Sequence, residues 1–293
     1  MFVRSITLCL CLLLPSMAQA LTLITSIKPI QMIAYELTLG VTQPQVLLSG
    51  NSSPHDYALR PSDVKRLHDA DLVVWYGDDL EPFLTKVLRD NTNTVTISAL
   101  PGLSLREFDS SDEDHDGHHH GHYDPHFWLG MTPTIQVATA LSRRLAEIDP
   151  DNAAQYQLNL ENFQQRLQQL QQALAKQLQP LQQQGYYVFH DAYGYFEQQY
   201  QLRNLGHFTV TPDRKPGAKT LIAIRKALTS HQVQCVFAEP QFTPAVIDSV
   251  MRGSQAQVGQ LDPIGTDIPV GKDSYFQFLQ AMADSFSQCL TPR

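Results

Sequence analysis

The sequence is poor in cysteine: 4 among 293 residues, and two of these, Cys9 and Cys11, fall in the first twenty. That excludes a disulfide-dense scaffold and a metal site built from paired CxxC motifs. Basic charge is not in excess either. Lys and Arg number 21 against 29 Asp and Glu, so the basic footprint of a nucleic-acid binder is missing. Apolar runs are short. Ile6 to Leu14 falls well below the roughly 20 residues a membrane-spanning helix needs, and no later segment is a candidate. No repeat with a period of roughly 20–50 residues and no heptad array is present.

What the N-terminus does contain fits a secretory signal. Arg4 supplies a short basic start, Ile6 to Leu14 an apolar centre, and Ala18-Gln19-Ala20 a small-residue cleavage site. Residues 1–20 are therefore read as a signal peptide, which makes the working chain soluble and exported. Cys9 and Cys11 stand too early, among residues too apolar, for a lipid-anchoring site. Loss of this segment removes one basic and no acidic residue, taking the net charge from −8 to −9. The remaining Cys235 and Cys289 are most simply a disulfide in an exported chain. Closing a loop of about 55 residues would contribute about 4 kcal/mol on the chain-entropy model. A thiolate ligand pair is the other reading, without CxxC-like spacing to support it. The residues left after cleavage exceed one ordinary core, which predicts two lobes.

The centre of the chain carries its most distinctive stretch, Asp112 to Leu129, DEDHDGHHHGHYDPHFWL. Five of the 11 histidines lie between His115 and His122, and His126 follows. A run of Asp, Gly and His has no apolar period and cannot bury a face. It reads as an acidic metal-collecting loop (109–122) with His115, His118, His119, His120 and His122 as auxiliary ligands. From Pro125 onward Phe127, Trp128 and Leu129 can pack, so His126 belongs to a folded body.

Strand and helix patterns alternate on either side. Leu21–Ile27, Gln45–Leu48, Leu72–Tyr76 and Thr94–Ile97 read as strands. Between them lie helices from Pro29, from about Arg60 with Ser62 as cap, and over Pro82–Arg89. After the His stretch a helix opens at Thr132-Pro133 and is interrupted at Asp149-Pro150. Asp151 to Gln179 lacks Gly and Pro altogether. Phe163, Leu167, Leu170, Leu174 and Leu178 form one apolar stripe on it, a helix about 43 Å long if unbroken. The alternation then resumes. Tyr186–Phe189, Phe208–Val210, Gln234–Ala238 and Gln257–Leu261 are strands; Lys219–Ser230, Pro244–Met251 and Asp273–Leu290 are helices, the last capped by Asp273. The fold class is α/β, two lobes with mainly parallel sheets joined by a long rigid helix. The expected division is 21–150, 151–180 and 181–293.

In such sheets ligands gather beyond the carboxyl ends of the strands. His55, His190, Glu239 and Asp262 each stand at or after a predicted strand end, and His126 follows the His loop. Three neutral imidazoles with a carboxylate or water suit Zn²⁺. His68, His207 and His231 are left as structural or surface residues. A rival pattern is present: His120-Gly121-His122-Tyr123-Asp124-Pro125-His126 misses the HxHxDH ligand motif of metallo-β-lactamase-type hydrolases by one residue. A zinc hydrolase is therefore an alternative, and a metal-storage or adhesin protein another.

Four motifs in order carry a resemblance: SPHDYALRPSDVKRLHDADLVVWYG (Ser53 to Gly77), DPHFWL (Asp124 to Leu129), YYVFHDAYGYF (Tyr186 to Phe196) and FAEPQF (Phe237 to Phe242). They resemble the ZnuA-type periplasmic zinc-binding proteins, metal-specific solute-binding proteins of ABC transporters. The resemblance implies two α/β lobes on a rigid helix, and metal ligands at His55, His126 and His190. It places a possible carboxylate ligand near Asp262 and a disulfide at Cys235–Cys289. Some members carry an acidic residue before the first histidine, where this chain has Pro54. The implied function is capture of Zn²⁺ for import through a membrane permease with its ATPase. The chain is expected to be a monomer, a binding protein rather than an enzyme, with no nucleic-acid partner.

Overall fold

The computed structural model describes residues 21–48, 53–55, 57–108, 122–210, 216–229, 232–242 and 245–292. The expected signal peptide and His115, His118, His119 and His120 lie outside the described residues.

The first half runs β1 (Leu23–Thr25), α1 (Lys28–Leu37), β2 (Gln45–Val46), α2 (Pro61–Asp69), β3 (Leu72–Trp75), α3 (Thr85–Leu88) and β4 (Thr94–Thr96). Its sheet is parallel, in the order β2-β1-β3-β4. Every residue of β1 and β3 is buried, which is why β3 reads as an apolar run rather than an alternating one. Two long helices follow, α4 (Met131–Ile148) and α5 (Ala153–Leu178). The second half runs β5 (Tyr186–His190), α6 (Gly194–Tyr200), β6 (Asn204–Thr209), α7 (Ala218–Thr229), β7 (Cys235–Ala238), α8 (Ala245–Met251), β8 (Gln257–Gln260) and α9 (Ser274–Leu290). Its sheet, β6-β5-β7-β8, is again parallel and repeats the order of the first. Strand order therefore reverses between β1 and β3, and again between β5 and β7.

Helix α5 ties the halves together. Its stripe of Tyr156, Phe163, Leu167, Leu174 and Leu178 is buried. It packs on α1 and α4 from the first half and on α9 from the second. Asn159 donates to the carbonyls of Leu37 and Leu39, both at 2.9 Å, while Gln177 donates to Asp284 at 2.8 Å. Between these points Arg166 pairs with buried Glu36 at 3.3 Å and Asp273 at 2.7 Å, its guanidinium 4.0 Å from the Phe276 ring centroid. Cys235 and Cys289 are bonded, fixing the end of α9 to β7.

Three local expectations change, and one helix, α6, was not anticipated. Ser62 does not cap α2. Pro61 takes the first helical position, where a missing N–H is harmless, and Asp63 accepts the Arg60 amide at 3.0 Å. Asp273 precedes α9 but makes no side-chain cap; it sits at φ 73° with its carboxylate turned to Arg166. Strand β6 begins four residues before Phe208, at Asn204, on a partly buried edge whose polar residues mask the pattern. Helix α6 has too few residues for a periodic signal.

Beyond β3 the chain turns at Gly77, whose φ of 138° favours glycine. Buried Glu81 holds this turn by accepting the amides of Tyr76 at 2.8 Å and Gly77 at 3.4 Å. Burial pushes the Glu81 pKa up to about 7 from 4.5. The native state then binds this proton more tightly than the unfolded chain. Its contribution to stability is complete below about pH 4.5 and is lost as pH rises through about 7. Wild type should lose about 2 kcal/mol more than Glu81→Gln between pH 5 and pH 8, read from urea unfolding at each pH. Equal losses would place the Glu81 pKa in its ordinary range. Separately, Cys235→Ser with Cys289→Ser opens a loop with a sequence separation of 54. It should cost about 4 kcal/mol of unfolding free energy, and an unchanged denaturation midpoint would refute this.

Candidate metal centre

The site is assembled from three separate stretches. His55 lies in the turn after β2, its amide donating to Ser53 Oγ at 3.2 Å. His126 precedes a single 3-10 turn, Phe127–Leu129, whose three side chains are all buried. His190 is the last residue of β5, at the strand-order reversal of the second sheet. Their candidate ligand atoms all lie within 4.8 Å of one another. The rings stand with centroids 5.9 Å (His55–His126), 6.0 Å (His55–His190) and 5.2 Å (His126–His190) apart.

Two carboxylates fix which nitrogen faces inward. Asp124 Oδ1 accepts the His126 amide at 2.9 Å and lies 2.8 Å from its Nδ1. Glu239, directly after β7, lies 2.7 and 2.8 Å from His190 Nδ1 through its two oxygens. An ionised carboxylate only accepts, so each Nδ1 carries the proton and each Nε2 keeps its lone pair. The two Nε2 atoms face one another at 3.4 Å. Opposed lone pairs in a buried space repel, and a cation placed between them converts the repulsion into two bonds.

Burial is the main electrostatic force here. It lowers the pKa of His126 well below 6.5, with His190 adding to the effect. It also raises Asp124 to about 6, against the pull of Arg106. At neutral pH His126 is therefore a neutral imidazole backed by a charged carboxylate, the form that binds metal. The partly open space among the rings is about 20 Å³, lined by the three histidines with Trp128, Gln241 and Phe242 among others. That fits an ion or a water. A much larger groove, about 670 Å³, lies between β8 and α9 and has no histidine in its lining. Ligand chemistry, not size, identifies the centre.

Asp262 is not brought into the cluster. Its Oδ1 accepts the Ile264 amide at 3.1 Å and the Gln241 amide group at 2.8 Å, and its Oδ2 accepts the Thr266 amide. The carboxylate builds the turn after β8 instead. His122 is exposed and pairs with Glu107 at 3.2 Å. The hydrolase-like pattern is thereby divided, because Asp124 is buried against Arg106 and His126 while His122 faces outward. His68 is exposed and lies 3.4 Å from Asp69. Sequence reading noted Glu239 only as a strand-end acid and gave Asp124 no structural role. The DPH and strand-Glu-Pro arrangements are the signals that could have suggested both.

A family model described as "ZnuA: Zinc-uptake complex component A periplasmic" matches residues 23–289. The chain belongs to this family. Among its relatives is the high-affinity zinc uptake system protein ZnuA of Yersinia pestis, 42% identical over 287 residues, covering 91% of this chain and 90% of the relative. That of Haemophilus ducreyi is also 42% identical, covering 92% and 93%. A zinc-bound crystal structure of a ZnuA with residues 138–173 deleted superposes with a TM-score of 0.79 at 29% identity, covering 94% of this chain and 100% of that one. The same architecture extends to the laminin-binding Lmb of Streptococcus agalactiae, TM-score 0.79 at 22% identity over 92% of this chain and 100% of that one, a likeness of fold alone.

The buried ZnuA-family centre predicts an unusual titration. At pH 5.5 an ordinary imidazole is roughly nine-tenths protonated. His126 in the metal-free protein should remain neutral, read from ring ¹⁵N shifts assigned with His126→Gln. A midpoint near 6.5 would contradict the burial described.

Proposed function

We propose that this protein captures Zn²⁺ in the periplasm with His55, His126 and His190 and hands it to the permease of an ABC transporter with its ATPase. The observation that carries the reading is the 3.4 Å approach of two Nε2 atoms whose Nδ1 atoms are each held by a carboxylate. Neutral imidazole ligands suit zinc better than the harder, oxygen-seeking Mn²⁺ or Mg²⁺. The carboxylates stay one shell out, where they raise ligand basicity without binding the ion. Water completes the tetrahedron, and Asp262 supports the surrounding turn.

The family membership supports a carrier rather than an enzyme. We read residues 1–20 as the export signal, 21–150 and 181–293 as two lobes, and 151–180 as the strut between them. The protein acts as a monomer. Residues 109–122 form an auxiliary collecting loop, in which His115, His118, His119, His120 and His122 with their acidic neighbours bind cations weakly.

The test is a zinc titration of the metal-free protein beside a variant carrying His55→Ala, His126→Ala and His190→Ala. One tight site should vanish in the variant while weak sites persist. Wild-type affinity should also fall as pH drops, because protons compete for the imidazoles. Survival of the tight site in the triple variant would move the metal elsewhere.

A further inference from the structure

One cation beside the centre is unaccounted for by metal binding itself. Arg106 precedes the His-rich stretch and Asp124 follows it, and the two segments are joined by the antiparallel bridge Glu107–Tyr123. The Asp124 amide donates to the Arg106 carbonyl at 2.8 Å. The Arg106 amide donates to the Tyr195 hydroxyl at 2.8 Å, and that hydroxyl donates to the Asp124 carbonyl at 2.9 Å. The Arg106 side chain is 13% exposed. Its Nη1 donates to Asp124 Oδ2 at 2.9 Å; Nη1 and Nη2 reach Asp191 Oδ2 at 3.4 and 3.3 Å.

We propose that Arg106 is a positioning residue of the cation site: it holds Asp124 from one half of the chain against Asp191 from the other, and through Asp124 it fixes the His126 ring. The proposal rests on the three-histidine reading above. Asp124 divides its oxygens between two duties, Oδ2 to Arg106 and Oδ1 to His126. Removing the first contact leaves the carboxylate held through Oδ1 alone, by the His126 amide and ring, so its plane is less fixed and the second contact loses direction. A lysine has one nitrogen and cannot reproduce a planar fork across two carboxylates.

Gly194 carries a second, independent mark of the same role. It opens α6 without a left-handed φ, so alanine would suit its backbone and favour the helix. A Cβ there would lie 2.2 Å from Arg106 Cζ, 2.3 Å from Nε and 2.4 Å from Nη1. The glycine makes room for the guanidinium.

The experiment measures zinc dissociation constants by competition with a chelating dye for wild type, Arg106→Gln, Asp124→Asn, the double variant and Gly194→Ala, with metal-free melting temperatures alongside. Arg106→Gln should weaken zinc about 10- to 100-fold, as loss of a ligand-orienting contact does. Gly194→Ala, which keeps every charge and is the variant better placed to fold, should weaken it in the same direction. The double variant should be no weaker than Asp124→Asn alone, because both changes break one chain of contacts. Additive effects would overturn the proposal. So would a lowered melting temperature in Arg106→Gln with zinc affinity within about twofold of wild type. His126→Ala serves as control: if it binds zinc as wild type does, the three-histidine reading itself fails, whatever Arg106 does.

Discussion

The lone pairs on Nε2 of His126 and His190 meet at 3.4 Å inside the protein, and much of the surrounding polar structure follows from holding them there. Each ring needs its other nitrogen occupied by an acceptor, which Asp124 and Glu239 supply. A buried carboxylate is costly unless it is itself partnered. Asp124 finds Arg106 and the His126 amide; Glu239 faces both the amide and the ring of His190. The centre is thus a short hierarchy of contacts, each layer required by the one inside it.

That hierarchy needs its contributors held at fixed separation, because they come from both halves of the chain. The strut α5 does part of this through α1 and α9. Direct contacts between the halves do the rest. The Trp128 indole donates to the Pro263 carbonyl at 2.7 Å, Thr134 and Tyr275 share a hydrogen bond at 3.0 Å, and Lys28 donates to the Thr266 carbonyl at 2.6 Å. Phe163 of α5 packs against both Tyr275 and Phe276 of α9. Apolar packing and polar contacts thus join the two halves directly.

The alternating strands were legible because β3, β5 and β7 are short apolar runs bounded by turn residues, and α5 because its stripe persists without a break. The Arg60-Pro61 start was legible too, though not its cap, since Pro61 shifts the helix by a position. What was not legible has a common physical cause. Short elements such as α6 contain too few turns to show a period, and an edge strand such as β6 is only partly buried, so its composition does not betray it. Asp262 was a candidate from its strand-end place and from the resemblance, but that its oxygens accept neighbouring amides is a local arrangement that no spacing reveals.

By itself the sequence determined the α/β class, the strut and the three histidines worth considering, since apolar period and motif order are properties of the chain. Only the tertiary structure decided which groups meet. His126 and His190 are 64 residues apart, and each takes its orienting acid from its own half, Asp124 two residues away and Glu239 49 residues away. Arg106 reaches Asp191 across 85 residues. Ring orientation, proton placement and the choice between a ligand and its support depend on differences of a few tenths of an ångström in the distances between such partners, and those distances exist only once helices of both halves have packed against α5.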